Sequence, residues 1–418
     1  MSAYLKQKVA VCKELGFTRM LLLPIAVTLV LLLLLLSKLV KIRVHEVQNS
    51  RIGHFTVYTA LTYLQFSNDK SKLRDRGINI YAVNSVLSAN SYLEKLWKRQ
   101  ILLLSGNFGW LIVDLFKRIP KNRVQVETFG NDRTGLLIQH PPCLTFNSDE
   151  IDRGTNFLKN LGLVNEQKYV CLHVRDSSYL AKSWNYFGYN ERHDWSHHDY
   201  RNSDISTYVA AADALADMGY TVFRMGAIVE KPLNSKHPRV IDYATNGMRT
   251  EFLDIFLGAY CTFCVSTGSG WDSVPQIFRR PSLYVNLLPV FPHDCVVRDL
   301  LIYPKIIQDK LTKIDLGLAE IVKRDIQTKH ESHYYASAGV ECREMNSQEL
   351  VKAVTEMAAR VEGTFVETTE QKQLQEKLKL VLSTHPKLQP TPNYYPIRAE
   401  FASCFLSNYP NFLDEQNS

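Results

Sequence analysis

Residues 264–276 read "CVSTGSGWDSVPQ", and this stretch decides the fold class. Its apolar beginning has the composition of a buried strand, and its end restarts as a helix. Such strand–turn–helix units are typical of α/β proteins with parallel sheets. The turn is either purely structural or a cradle whose backbone N–H groups bind phosphate. It consists of five small residues: Ser266, Thr267, Gly268, Ser269 and Gly270.

Similar units recur on both sides of this stretch. Apolar runs such as "GINIYAV" (77–83), "KYVCLHV" (168–174) and "TVFRMG" (221–226) alternate with helical patterns, as expected for a buried parallel sheet. A proline-rich link, "QHPPCLTF", predicts a domain boundary, and Ser148 after it is the predicted N-cap of a helix. The prediction is two doubly wound Rossmann-like domains, 42–145 and 146–345, between an N-terminal arm and membrane anchor (1–41) and C-terminal helices (346–418) that pack back on the domains.

The N-terminal arm contains an apolar segment. Residues 20–36 carry no charge, and at ~1.5 Å per residue they extend about 25 Å, close to one bilayer core. A cleaved signal peptide is the alternative, but no small-x-small cleavage site follows the segment. We therefore predict a retained membrane helix whose removal leaves a soluble, folded remainder. Basic residues flank both ends, so the charges assign no orientation.

The basic charge of the chain is concentrated in the same region. Seven lysines and arginines and a single acidic residue, Glu14, lie in residues 1–45, so this segment holds +6 of the net charge of +7. A membrane flank explains this excess, and the nearly neutral remainder gives no indication of a nucleic-acid partner. The eight cysteines show no zinc spacing and indicate neither a metal site nor a disulfide framework.

The predicted carboxyl ends of the strands carry many polar residues. Such ends form the ligand-binding edge of an open α/β sheet. Guanidinium groups and a glycine-rich turn on one edge suit a diphosphate, since arginine binds phosphate oxygens with two hydrogen bonds. A dinucleotide site is disfavoured, because Ser273 replaces the third glycine of G-x-G-x-x-G and the next strand ends in Asn286 instead of an acid. Besides the turn, the candidates are Arg51, Gly53, His54, His173, Arg175, Asp176, Arg224 and Gly226.

The segment 192–204, "RHDWSHHDYRNSD", is rich in histidine and aspartate. It could suggest a metal site, but no helix places two of its ligands at i, i+4. A loop facing donor or acceptor and an ordinary solvated loop are the alternatives. We predict no metal.

Several of these stretches carry a family resemblance: "RIGHF", "PPCLTFNSDEIDRGTNFLKNLGL", "HVRDSSY", "YRNSDISTYVAAADALADMGYTVFRMG" and "IDYATNGMRTEFLDIFLGAYCTFCVSTGSGWDSVP". Together they resemble a bacterial family of glycosyltransferases of surface-polysaccharide synthesis. The resemblance implies a two-Rossmann (GT-B) fold, a nucleotide-sugar donor bound mainly by the C-terminal domain, and no essential metal or cofactor. His173 and Arg175 also resemble the H-x-R-x-D strand end of fucosyltransferase-like enzymes, whose arginine holds the donor diphosphate; Asp176 lies one place earlier than in that pattern.

The sequence thus predicts a membrane-anchored glycosyltransferase that moves a sugar from a nucleotide diphosphate to a glycan or lipid-linked acceptor. Arg175, Arg224 and the turn would stabilise the leaving diphosphate. His54 is the candidate general base, with a hydrogen bond to phosphate or acceptor as its alternative, and Asp176 is the other catalytic candidate. The resemblance implies that the catalytic domain is cytoplasmic. Two other functions stay open: a non-catalytic sugar-nucleotide-binding scaffold of a polysaccharide assembly complex, and a sugar-nucleotide epimerase.

Overall fold

A computed structural model describes residues 3–67, 77–119, 125–127, 132, 135–163, 168–182, 194–291, 299–388 and 399–414, with the helix but not the side chains for 3–15. The chain forms two compact units, Met1–Asn131 with Cys143–Thr145 and Asn185–Asn190, and Asp132–Pro142 with Phe146–Trp184 and Glu191–Ser418. Each unit contains its own parallel sheet, so the predicted α/β class is confirmed.

The first unit is built on a four-stranded sheet of order β3-β2-β1-β4 in which every strand pair is parallel. A π-helix, His54–Tyr58, directly precedes the second helix. The elements are α1 (Ala3–Leu36), β1 (Ile42–Val47), α2 (Thr59–Ser67), β2 (Ile78–Val83), α3 (Ser91–Gln100), β3 (Leu103–Leu104), α4 (Gly106–Lys117) and β4 (Gln125–Glu127).

The second unit is built on a seven-stranded parallel sheet of order β13-β10-β9-β8-β5-β6-β7, with a small antiparallel pair, β11–β12, beside it. Its strands are β5 (Tyr169–His173), β6 (Thr221–Met225), β7 (Val240–Ile241), β8 (Phe263–Ser266), β9 (Ser282–Leu287), β10 (Leu300–Pro304), β11 (Ile306–Asp309), β12 (Val340–Arg343) and β13 (Glu400–Phe401). Its helices are α5 (Leu136–Gln139), α6 (Ser148–Asn160), α7 (Ser178–Lys182), α8 (Val209–Asp217), α9 (Glu251–Tyr260), α10 (Ser273–Ile277), α11 (Leu318–Lys323), α12 (Ser332–Ser337), α13 (Ser347–Glu362), α14 (Thr369–Thr384) and α15 (Ser403–Asn408).

Both sheets reverse their strand order at one point. In the second unit the chain runs from β5 outward through β6 to β7 and then returns to the other side of β5 with β8. The gap between β5 and β8 is therefore a topological switch point, where ligands bind in open α/β sheets. His173 and Ser266 are register partners across this gap. In the first unit the corresponding point lies between β1 and β4.

The C-terminal helices belong to the core of the second unit. Leu350, Val354 and Met357 of α13 join the same buried cluster as Tyr208 and Leu215, and β13 adds a strand to the sheet. The described residues of the predicted C-terminal helical segment 346–418 thus contribute to the core and the sheet of this unit.

The apolar N-terminal helix is likewise part of a unit. Within α1, Gly16–Leu36 is long and apolar enough to cross a membrane. Yet Ala26, Val30 and Leu33 are buried in the core cluster that contains Ile112 of α4 and Val44 of β1. One side of the helix thus covers apolar surface of the first unit, and the membrane anchoring of segment 1–41 stays a prediction.

This packing predicts that two adjacent leucines of α1 differ in their contribution to stability. Leu33 is 8% exposed and Leu32 is 58% exposed. We expect Leu33→Ala to lower the free energy of unfolding by about 2–5 kcal/mol, as for other buried leucines, and Leu32→Ala to change it by less than about 0.5 kcal/mol. Chemical denaturation of the two variants in detergent measures this. Equal losses would show that α1 does not pack on the first unit.

Candidate active site

The loop after β5 presents Arg175 at the switch point. Its backbone N–H donates to Thr267 Oγ1 at 2.9 Å, and its carbonyl accepts from the backbone N–H of Ser203 at 3.0 Å. The first bond fastens the loop to the turn after β8, and the second fastens it to the loop before α8. Arg175 is therefore fixed from both sides at the carboxyl edge of the sheet.

The guanidinium of Arg175 lies near that of Arg201, at the end of the 3-10 helix Ser196–Arg201. Burial, and next to it the charge of Arg201, lowers the pKa of Arg175 to about 10. In the described structure both Nε atoms are buried without a hydrogen-bond partner, while the charges of Asp199 and Asp176 oppose the lowering of the pKa of Arg175. The pKa of Arg175 stays lowered despite these carboxylates, so an anionic ligand would stabilise the two neighbouring cations further.

Other polar atoms beside the two arginines also lack partners. Among the described residues, the Tyr200 hydroxyl and Asn202 Oδ1 are buried and unsatisfied. Buried polar groups in native proteins are nearly always hydrogen-bonded, so such atoms gathered in one place indicate a ligand site.

A third cation, Lys305, follows β10. It is 5% exposed, and its Nζ donates to the Asn202 carbonyl at 2.6 Å and lies 3.5 Å from Glu344 Oε1. Burial lowers its pKa, the Glu344 carboxylate opposes that shift, and the positive charge of Arg175 adds to it. Lys305 is thus only partly neutralised and adds to the positive potential at Arg175.

A cavity of about 640 Å³ is lined by Lys305 and by the chain neighbours of the two arginines, but not by Arg175 or Arg201 themselves. Its wall includes Val174 after β5, Lys305 after β10 and Tyr335 of α12, whose ring stacks on Tyr200 at 5.2 Å between centroids. Ligand sites in proteins commonly measure about 300–1,000 Å³. The cavity therefore has the size for a nucleotide-like molecule, and its wall carries six acidic side chains and three lysines.

The glycine turn is braced from within by Asp272. Its Oδ2 accepts from the Ser266 hydroxyl at 2.8 Å and from the backbone N–H of Ser269 at 2.6 Å. Burial raises the pKa of Asp272 to about 6, and these two hydrogen bonds and the charge of Arg201 limit the rise. An acidic side chain thus holds donors that the cradle hypothesis assigned to phosphate. Direct contact of the turn with a ligand stays a prediction.

Two further residues shape the turn: Gly268 lies within it, and His173 contacts it from the end of β5. Gly268 has φ +75°, and a Cβ there would lie 2.7 Å from Leu287 Cδ1, so this position favours glycine in conformation and in space. His173 Nδ1 lies 3.0 Å from Ser269 Oγ, and its ring stacks on Trp271. Burial, followed by the charges of Arg224 and Arg175, lowers the pKa of His173 to about 3, so its imidazole is neutral at physiological pH. Gly270 is exposed.

Asp176, Arg224 and Gly226 shape the loops around the site. The two Asp176 carboxylate oxygens accept from the backbone N–H groups of Ser178 and Glu230, both at 2.8 Å, which joins the loops after β5 and β6. Arg224 is fully buried; it donates to Asp242 Oδ1 at 3.2 Å and to the Lys231 carbonyl at 3.1 Å. A Cβ on Gly226 would approach Val229 Cγ1 to 2.5 Å. In this structure all three hold loops in place, and a ligand contact for them stays a prediction.

The first unit presents Arg51, Gly53 and His54 after β1. His54 begins the π-helix and stacks on Tyr58 at 4.6 Å between ring centroids. π-Helical turns are rare and occur often at functional sites. Burial, and then the charge of Arg51, lowers the pKa of His54 to about 4, so its neutral form, which can accept a proton, prevails at physiological pH.

Among the described residues, which include 194–204 of the histidine-rich segment, no group of three or more His, Cys, Asp or Glu is placed to hold an ion. The lack of a metal stays a prediction. His193 lies outside the described residues, so this prediction is untested there. The segment instead supplies Arg201 and Tyr200, which the sequence did not single out.

The described cysteines include three that are buried and free: Cys171, Cys261 and Cys264.

Comparisons with known proteins give two structural likenesses. No family profile matches the chain, and no curated protein does. A glycosyl transferase family 9 structure from Veillonella parvula matches with a TM-score of 0.43 at 10% identity, over 77% of this chain and 97% of that one. The E. coli ADP-heptose lps heptosyltransferase II matches with a TM-score of 0.33 at 17% identity, over 63% of this chain and 90% of that one. At values this low, neither likeness carries an inference here, so the function is argued from this chain's own residues.

Proposed function

We propose that this protein is a glycosyltransferase that moves a sugar from a nucleoside diphosphate donor to a glycan or lipid-linked acceptor. The observation that supports this most is the pair Arg175–Arg201 at a switch point of a parallel sheet, whose Nε atoms are buried without a hydrogen-bond partner. Chain neighbours of both arginines line a cavity of about 640 Å³. A diphosphate would add negative charge that the nearby carboxylates supply only in part. The resemblance of the sequence to polysaccharide glycosyltransferases points to the same donor class.

In the proposed reaction, the bond between the anomeric carbon and the diphosphate oxygen breaks, and the acceptor hydroxyl oxygen bonds to that carbon. Negative charge develops on the departing diphosphate. Arg175 and Arg201 are fixed before the reaction and stabilise that charge without reorganisation. Lys305 adds positive potential from the edge of the same cavity. We assign no role to a metal ion or other cofactor and, from the family resemblance, propose that catalysis takes place on the cytoplasmic side.

His54 is the proposed acceptor of the proton from the acceptor hydroxyl. Because its pKa is about 4, its basic form is lost only as the pH falls through about 4. We expect an acid limb in kcat/KM near pH 4 that disappears in His54→Gln. A limb near pH 6.5 that His54→Gln removes would contradict the low pKa, and a profile that the substitution leaves unchanged would exclude His54 as the base.

The direct test is turnover of a panel of nucleoside diphosphate sugars by the full chain in detergent with a mixture of lipid-linked and free glycan acceptors. Release of nucleoside diphosphate, with transfer of the labelled sugar, is the expected result, and it should persist in EDTA. Arg175→Ala should lose this release. Donor binding without release would favour the scaffold, and a changed sugar on an intact donor would favour an epimerase.

A further inference from the structure

Helix α1 has two different apolar sides. The packed side is defined by Arg19, Leu22, Ala26, Val30 and Leu33, whose spacing of three and four residues follows one side of a helix. The opposite side, here called the outer side, carries large apolar residues with no covering in the described structure. Seven of these residues are between 55% and 62% exposed: Phe17, Met20, Leu21, Ile25, Leu31, Leu32 and Leu35.

The packed side is held along α4 for much of the apolar segment. At one end, Arg19 Nε donates to Asn107 Oδ1 at 3.0 Å, and the guanidinium lies 4.0 Å from the Trp110 ring centroid. Further along, Val30 and Leu33 share a buried cluster with Phe116. The helix therefore lies beside a folded domain and is not surrounded by lipid on all sides, as a single spanning helix would be.

Helix α4 itself is unsuited to the interior of a membrane. It carries Asp114, and the exposed Arg118 after it pairs with that carboxylate at 3.0 Å. Placing such charges at membrane depth is expensive unless they face protein or water. A helix that spans the bilayer while bound to α4 would bring these charges with it. An orientation along the membrane surface leaves them in water.

We propose that α1 binds a lipid bilayer in the plane of its surface, with the outer side in the acyl region of one leaflet and the packed side on the first unit. The exposed Lys38 and Lys41 follow the helix, and their charges complement anionic headgroups. The outer Thr28 donates its hydroxyl to the Pro24 carbonyl at 2.8 Å, so it can enter lipid with its hydrogen bond made. This inference does not depend on sugar transfer.

The experiment measures depth along the outer side. Single cysteines replace Leu21, Thr28 and Leu35 in the full chain, with Cys12, Cys143, Cys295, Cys342 and Cys404 changed to serine and the buried Cys171, Cys261 and Cys264 kept. Each carries a nitroxide, and the protein is bound to vesicles of phosphatidylethanolamine and phosphatidylglycerol. Collision with oxygen and with a water-soluble nickel complex reports the depth of each label.

An in-plane helix gives the same depth at all three positions, and a label at Leu29, near the packed side, meets less lipid. A spanning helix instead places Thr28 about 10 Å deeper than Leu21 and Leu35, since seven residues rise that far, and this result would overturn the proposal. Labels that meet no lipid while the protein dimerises would also overturn it, because the outer side would then cover a second copy.

The lysines provide an independent readout. Each of Lys38→Gln and Lys41→Gln is expected to weaken partition into the anionic vesicles about 5-fold, with no effect on vesicles of phosphatidylcholine alone. Lys379→Gln, a lysine of α14 in the other unit, is the matched control and should change neither. Equal partition of all three variants into anionic vesicles would remove the electrostatic part of the proposal.

Discussion

Replacing Arg201 by alanine is expected to weaken the binding of a nucleoside diphosphate by about 10- to 150-fold, because a hydrogen bond to a charged group contributes about 1.5–3 kcal/mol. Binding of the bare nucleoside should hardly change. Arg175→Ala should behave in the same way, since the two guanidinium groups are neighbours and the Nε atom of each is buried without a hydrogen-bond partner in the described structure. Calorimetric titration with both ligands measures the difference.

Two further variants make this result specific. Arg201→Lys keeps the charge but loses the planar fork, so it should recover only part of the affinity. Arg239→Ala removes an arginine that donates to the Gly219 carbonyl, before the start of β6, and should leave diphosphate binding intact. If Arg201→Ala lowers the melting temperature but binds diphosphate normally, then Arg201 supports the fold and is not a ligand.

Replacing Asp272 by asparagine is expected to change how stability depends on pH. The pKa of Asp272 is raised from 3.8 to about 6 in the folded protein, so the folded state binds more protons than the unfolded state between these values. This group therefore lowers stability as the pH rises from about 4 to 6. Above pH 6 the raised pKa lowers the free energy of unfolding by about 3 kcal/mol. As the pH rises from 4 to 7, Asp272→Asn should therefore become more stable relative to wild type by about 3 kcal/mol.

Urea denaturation at pH 4.5, 5.5 and 7 measures this gain. Asp204→Asn is the control, because the pKa of Asp204 is lowered by its hydrogen bonds to Ser206, so its contribution has the opposite sign. A difference between Asp272→Asn and wild type that stays constant with pH would show that the carboxyl has an ordinary pKa. Asp272→Ala should destabilise at every pH, since the Ser266 and Ser269 donors lose their acceptor.

The sequence could predict the strand ends and not the partners that meet there. Arg175 follows an unmistakable apolar strand, so its place at the sheet edge was predictable. Arg201 lies in a 3-10 helix within a polar loop, and only the folded chain brings it to Arg175. In the sequence Arg224 looks equivalent to Arg175. In the structure its guanidinium donates a hydrogen bond to Asp242, the residue directly after β7.

The sequence also misplaced the N-cap of α6 and did not show which side of α1 packs on the first unit. Ser148 was the predicted N-cap of α6, but Asn147 caps it, because Glu150 three residues later completes the reciprocal capping box. In α1 a run of leucines conceals the packed side, since every position is equally apolar and only the contacts with α4 distinguish Leu33 from Leu32.

The most direct test of the central claim is the affinity of the wild-type protein for three ligands of one base: the nucleoside, its monophosphate and its diphosphate. This titration is run at constant ionic strength with each common base in turn. If Arg175 and Arg201 form a diphosphate site, affinity for the preferred base rises with each phosphate, and the diphosphate binds at least about 10-fold more tightly than the nucleoside. Equal affinity for all three ligands, or no binding of any diphosphate, would contradict the claim.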